Sequence, residues 1–111
     1  MIARSLDDLP SVGVSHDLSI MKKVMLHHGE VPHLTNFSQA TLQAGQCTTP
    51  HTHDDMWEIY FVQSGQLTIT VDGCVETHLE GSMVTVQPGE QHSVANEGET
   101  PLKLIYFGIT E

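Results

Sequence analysis

Positive charge is what this chain has least of. Arg4, Lys22, Lys23 and Lys103 are its only lysines and arginines, against 14 aspartates and glutamates, and the formal net charge at pH 7 is −10. A nucleic-acid binder displaces counterions from phosphates with a basic surface. This chain would instead repel DNA, RNA and anionic membranes, and those partner classes are set aside. Long apolar runs are also missing: none approaches the ~20 residues that span a bilayer as a helix. The N-terminus, Met1-Ile2-Ala3-Arg4-Ser5-Leu6-Asp7-Asp8, lacks the basic-then-apolar order of a secretion signal, so a cytoplasmic location is the default expectation. Cysteine is scarce. Cys47 and Cys74 are the only two, and no C-x-x-C pair exists for a zinc ribbon or a redox motif. A structural disulfide is disfavoured in a cytosolic chain. Both are expected as free thiols, small and buried or half-buried. Long amphipathic helical patterns are absent as well.

What the chain does have is strand patterning. Its 111 residues suit one domain, 1–111, large enough to bury a single real core. Short alternating segments at 20–26, 35–42, 58–62, 66–71, 74–79, 83–86, 92–96 and 102–109 are punctuated by Gly, Pro and Asp. In 66–71, Leu67, Ile69 and Val71 face one way and Thr68 and Thr70 the other. Asp72-Gly73 signals a two-residue hairpin. Strands separated by turns at this spacing predict an all-β sandwich or barrel. Residues 1–18 are the least patterned and are read as an arm, a short helix or an extra strand. No repeat, linker or low-complexity segment interrupts the chain.

The chemistry concentrates in histidine. His51 and His53 are separated by one residue, a spacing that places both side chains on one face of an extended segment. Glu58 follows, and His92 comes later, just behind a Pro88-Gly89 turn. Glu58 has the wrong parity to join the histidine pair on an unbroken strand. A turn at Asp54-Asp55 resolves this, after which Glu58, Tyr60 and Val62 share a face. On the later strand His92, Val94 and Asn96 share one. Three imidazoles and a carboxylate suit one divalent transition-metal ion such as Mn, Fe, Ni, Cu or Zn. They do not suit Ca or Mg, which take all-oxygen shells. With no thiolate in the frame, a structural zinc clip is disfavoured. Four protein donors on a six-coordinate ion leave two positions for substrate or dioxygen.

In this frame, Gly45-(five)-His51-x-His53-(four)-Glu58-(six)-Gly65 resembles the first motif of the cupins. Gly81-(five)-Gln87-Pro88-Gly89-(two)-His92-(three)-Asn96 resembles their second. The family's usual proline two residues before the glycine is Gln87 here, with Pro88 in the variable slot; this touches the turn geometry but not the placement of His92. The resemblance implies a small antiparallel β-barrel of jelly-roll type with the metal inside. It implies His51, His53, Glu58 and His92 as ligands. It also implies a homodimer, often made by exchange or pairing of N-terminal strands.

Several residues keep two readings. Glu58 is a ligand, or a hydrogen-bonded catalytic base beside the ion. Tyr60 fills the barrel, the favoured reading, or brings its hydroxyl near the metal. Trp57 serves packing or an interface, or else a substrate platform. Asn96 is a turn or hydrogen-bonding support residue, the favoured reading, or a catalyst. Asp54 and Asp55 are read as a solvated turn, and His16, His27, His28, His33 and His78 as solvated or hydrogen-bonded bystanders. The resulting expectation is a metal-dependent enzyme acting on a small oxygenated molecule, with dioxygenase favoured over isomerase or lyase chemistry. The alternative is a non-catalytic module that binds or senses a small ligand. A metal-free sugar-nucleotide epimerase ranks last, because so few cations are present to hold phosphates.

Overall fold

The computed structural model describes residues 1–15 and 17–111; His16, read above as a bystander, lies outside them. Among the described residues nine strands form: β1 Val12–Val14, β2 Asp17–Leu26, β3 Leu34–Leu42, β4 Met56–Ser64, β5 Gln66–Val71, β6 Cys74–Leu79, β7 Met83–Val86, β8 His92–Ala95 and β9 Leu102–Thr110. They build a six-stranded sheet in the order β1-β2-β3-β9-β4-β7 and a three-stranded sheet in the order β6-β5-β8. Every named strand pair is antiparallel. The alternation predicted an all-β sandwich or barrel, and the fold is the antiparallel jelly-roll barrel that the family resemblance implied. Among the described residues, no helix is long and apolar enough to cross a membrane.

Parity does most of the sorting. On β4, Glu58, Tyr60 and Val62 are buried while Trp57 and Phe61 are exposed. The large sheet contributes Ile20, Ala40, Leu42, Val62, Val86, Leu102 and Leu104 to the core, and the small sheet closes it with Leu67, Ile69 and Val94. The Asp72-Gly73 turn forms as expected, with φ of 47° and 82°, the positive pair that a two-residue hairpin requires. Its register sets Val71 opposite Cys74.

Some boundaries differ from the sequence reading for identifiable reasons. β4 starts at Met56 rather than 58, because pairing with β9 runs from Met56 opposite Thr110 to Ser64 opposite Lys103. Residues 1–18 supply a single 3-10 turn at Leu6–Asp8, the strand β1 and the start of β2. Arg4 pins this arm: its guanidinium donates to the Met25 carbonyl at 2.7 Å and pairs with Glu30 at 2.8 Å. The Arg4 hydrogen bond, with a second from the His27 amide, holds the Glu30 carboxyl down to about 2. Both cysteines are free, but they are exposed rather than buried or half-buried. Cys74 opens the strand at the edge of the small sheet, and Cys47 lies in a loop that only brushes β8 at Ala95.

Gly65 is a tight joint between the sheets. Its φ is +83°, and a Cβ there would lie 2.6 Å from the Pro101 carbonyl oxygen and 2.9 Å from Leu102 Cα. Both faults arise together in any L side chain. Gly65→Ala is expected to lower stability by roughly 1–3 kcal/mol, read as a fall in the urea midpoint; an unchanged midpoint would contradict this packing.

Candidate metal centre

Two backbone contacts bring the histidines together. Residues 47–53 lie along the free edge of β8 without forming the regular strand their spacing suggested, bridging it at Cys47 and His51. Pro50 stands between these points and has no N–H to donate. His51 N–H donates to the His92 carbonyl at 3.0 Å and His92 N–H returns the bond at 2.9 Å. The Gly89 amide, at the second motif's turn, donates to the His53 carbonyl at 2.8 Å. That turn forms despite Gln87: Gly89 takes φ +86°, and Gln87 N–H donates to the Glu90 carboxylate at 2.7 Å. Asp54 and Asp55 make the exposed bend that swings the chain from His53 into β4, which solves the parity problem at Glu58.

The side chains converge. His53 Nε2 and His92 Nε2 each lie 2.9 Å from Glu58 Oε1, and His51 Nε2 lies 4.0 Å from it. One donor atom from each of the four residues falls within 4.8 Å of all the others. Metal–ligand bonds of about 2.0–2.2 Å put adjacent ligand atoms about 3 Å apart, so this group could hold a metal ion. Nitrogen dominates the donor set and thiolate is absent, which fits a transition ion rather than Ca or Mg.

Tautomers strengthen the fit. His51 Nδ1 lies 2.9 Å from the Thr49 carbonyl oxygen and His92 Nδ1 lies 3.0 Å from that of Glu90. A carbonyl only accepts, so each Nδ1 carries the hydrogen, and in the neutral ring Nε2 is bare. Such second contacts are how a protein aims an imidazole at a metal. A bare His92 Nε2 facing a carboxylate oxygen at 2.9 Å would set lone pair against lone pair. Something positive belongs between them, and without a metal it is a proton. Burial opposes charge on His92, but the hydrogen bonds to Glu58 and to the Glu90 carbonyl outweigh it and raise the ring's pKa. At Glu58 burial pushes upward, yet His92, the charge of His53 and the Tyr60 hydroxyl together hold the carboxyl below its ordinary range.

Tyr60 is buried, as the filling reading had it, but that reading is incomplete. Its hydroxyl donates to Glu58 Oε2 at 3.1 Å, and its ring stacks on Tyr106 with centroids 5.9 Å apart. Burial, then the Glu58 charge, raises the Tyr60 pKa far above the usual phenol value, so it stays a donor. Burial likewise lifts Tyr106 to about 12. Asn96 holds a turn through its hydrogen bonds: its Nδ2 donates to the Leu42 and Thr100 carbonyls at 2.9 and 2.8 Å, and its Oδ1 accepts from Gly98 N–H. It is not among the residues lining the cavity. Trp57 points away from the site on the outer face of the large sheet. His27, His28 and His33 are exposed beside the β2–β3 turn, and His78 sits 2.9 Å from Glu76 on the small sheet.

A cavity of about 120 Å³ opens beside the cluster, with His51, His53, Glu58 and Tyr60 in its wall. Lys22, Asn36, Met56 and Tyr106 also line it, and the sequence reading had singled out none of them. Parity was the available signal for Lys22, which stands two residues from the core residue Ile20 on one strand. Tyr60→Phe is expected to keep the fold and to weaken binding of Zn²⁺ or Ni²⁺ by roughly 10–100-fold, measured by competition with a fluorescent chelator. Unchanged affinity would show that the hydroxyl does not hold Glu58 in place.

Comparison with known proteins agrees with this architecture. The family described as Cupin domain matches residues 38–108. A solved structure described as a predicted oxalate decarboxylase from Thermotoga maritima superposes with a TM-score of 0.87 at 21% identity, covering all of both chains. The cupin domain of Cnp3 from Schizosaccharomyces pombe gives 0.83 at 15% identity, over 99% of this chain and 74% of that one. A sugar phosphate isomerase of the cupin superfamily from Silicibacter pomeroyi gives 0.81 at 14% identity, over 98% and 76%. At these identities the likeness speaks to the fold, while the family match spans both histidine motifs from His51 to His92. The chain belongs to the cupin family.

Proposed function

We propose that His51, His53, Glu58 and His92 hold one divalent transition-metal ion (Mn, Fe, Ni, Cu or Zn) and that the protein is a metal-dependent enzyme for a small oxygenated molecule. The observation that carries this reading is a carboxylate oxygen set 2.9 Å from two imidazole nitrogens in the wall of a cavity of about 120 Å³. When bound, such an ion polarises a substrate oxygen and, if redox-active, supplies dioxygen chemistry.

The cavity wall favours oxygen chemistry over isomerisation or elimination. Proton-transfer reactions need a base within reach of the substrate. Glu58 is the only carboxylate among the described lining residues, and both its oxygens are engaged, one by histidines and one by Tyr60. Acting as base would mean leaving those contacts, so the ligand role suits it better. Tyr60 and Tyr106 are held as neutral phenols by burial. Dioxygen chemistry would draw on the ion itself, so Glu58 could remain a ligand. The decarboxylase and isomerase names of two structural neighbours keep lyase and isomerase substrates in the screening panel.

The test is oxygen uptake by iron-loaded protein against a panel of small hydroxy-ketones, enediols and carboxylates. Stoichiometric uptake with product formation is expected, falling at least 100-fold in His92→Ala. Turnover without oxygen uptake would move the assignment to isomerase or lyase, and a retained but unconverted ligand to a non-catalytic binding module.

We further propose a homodimer through the outer face of the large sheet. There Trp57 faces Ile109, Phe61 faces Ile105 and Met83, and Ile59 faces Phe107; Trp57, Phe61, Met83 and Ile109 are all exposed. The outward positions of β3, β4, β7 and β9 carry no aspartate or glutamate. In a chain of net charge −10, two copies can meet on this face without carboxylates opposing one another. Sedimentation equilibrium is expected to give a dimer for the native chain and a monomer for Phe61→Lys; a native monomer at high protein concentration would contradict the proposal.

A further inference from the structure

Lys22 is the cation in the cavity. It stands opposite Ala40 on β3, Ala40 stands opposite Leu104 on β9, and Leu104 opposite Val62 on β4. Residues directly opposite in antiparallel strands share a face. Ala40, Leu104 and Val62 are core residues, so Lys22 belongs to an inward-facing row, and it does line the cavity. The other three fixed cations are placed elsewhere. Arg4 is paired with Glu30, Lys23 donates to the Leu6 carbonyl at 2.9 Å, and Lys103 is exposed on the outer face. Although the chain carries 14 carboxylates, Lys22 makes no ion pair among the described residues.

Lys22 is partly buried and lines the cavity without an ion-pair partner of its own among the described residues, so a ligand that brings negative charge is favoured there. Asn36 adds a second polar group to the same wall. It stands opposite Gly108, which stands opposite Glu58, and the side chains of Thr35 and Met56 fill the space over that glycine. Its amide nitrogen has only a long 3.4 Å contact, to Thr35. With a divalent ion held as proposed above, the cavity charges are +2 from the ion, +1 from Lys22 and −1 from Glu58, which match a dianion. The cavity has room for about four waters' worth of liquid, so the ligand is small.

We propose that Lys22 is a specificity-determining residue and that the cavity takes a small dicarboxylate, one carboxylate directed to the His–Glu cluster and the other to the Lys22 ammonium. This rests on the metal reading above and narrows the substrate class that reading left open. Other uses of the lysine stem, such as covering Val14 and Ile20, would leave its charge without a role.

The experiment is calorimetric titration of Zn-loaded protein with malonate, succinate and glutarate, with acetate as the single-carboxylate control. Metal per chain is measured on every sample. Native protein is expected to prefer one of the dicarboxylates over acetate. Lys22→Met, which keeps the apolar stem, is expected to weaken that dicarboxylate at least tenfold while changing acetate by less than twofold and leaving metal per chain unaltered. Lys22→Arg is expected to recover part of the loss. Equal dicarboxylate affinity in native protein and Lys22→Met, both carrying metal, would overturn the role of Lys22 and leave the metal reading standing. So would a native protein that binds acetate as tightly as every dicarboxylate. A native protein that takes up no metal would overturn both.

Discussion

Glu58 Oε1 lies 2.9 Å from two imidazole nitrogens, in a residue only 5% exposed. A buried carboxylate is costly unless it meets positive charge or hydrogen-bond donors. The surrounding residues are arranged for that requirement. Tyr60 supplies a donor to the other oxygen. The carbonyls of Thr49 and Glu90 take the Nδ1 hydrogens of His51 and His92 and turn their Nε2 atoms inward. Once those hydrogens are committed, His92 can meet the carboxylate only through an added proton or a metal ion. The proton answers this requirement in the metal-free protein. An ion bound by all four residues would answer it as well, and would draw His51 and His53 to the same centre.

The scaffold delivers those four side chains by backbone pairing rather than by side-chain packing. The reciprocal bonds between His51 and His92, and the Gly89 amide on the His53 carbonyl, tie together two motifs that lie far apart in the chain. Glu58 comes from the other sheet, on β4 between β9 and β7. The site therefore depends on the two sheets closing correctly, which is where Gly65 and the packing of Leu102 and Leu104 enter. Apolar closure on one side leaves the cavity open beside the histidines, with Lys22 and Asn36 in its wall.

Much of this was legible in the residues. Alternation with period two located most strands, because one face of each must be buried. The hairpin at Asp72-Gly73 and the bend at Asp54-Asp55 followed from residues that tolerate tight turns. The four clustering residues were legible because their spacing is tied to strand parity and to paired turns. Other features were not, for physical reasons. Tyr60 donates to Glu58 because residues i and i+2 of one strand share a face, but whether its hydroxyl would reach the carboxylate depends on packing against Tyr106. The exposure of both cysteines follows from sheet-edge and loop positions that composition does not encode. For Lys22, parity with Ile20 on one strand was a signal, but its inward direction is fixed by a register shared by four strands, which only the folded sheet supplies. The extended but irregular path of 47–53 depends on Pro50 interrupting a ladder whose partner strand lies far away in sequence.

The central claim is that three imidazoles and one carboxylate form a single transition-metal site. The most direct measurement is elemental analysis by plasma mass spectrometry of untagged protein purified without chelator, expressed as metal per chain, for the native protein and for His92→Ala. The account predicts close to one transition-metal ion per native chain and a small fraction of that in the variant. Native protein far below one ion per chain, not restored by adding Mn, Fe, Ni, Cu or Zn, would contradict it, as would full metal content in His92→Ala.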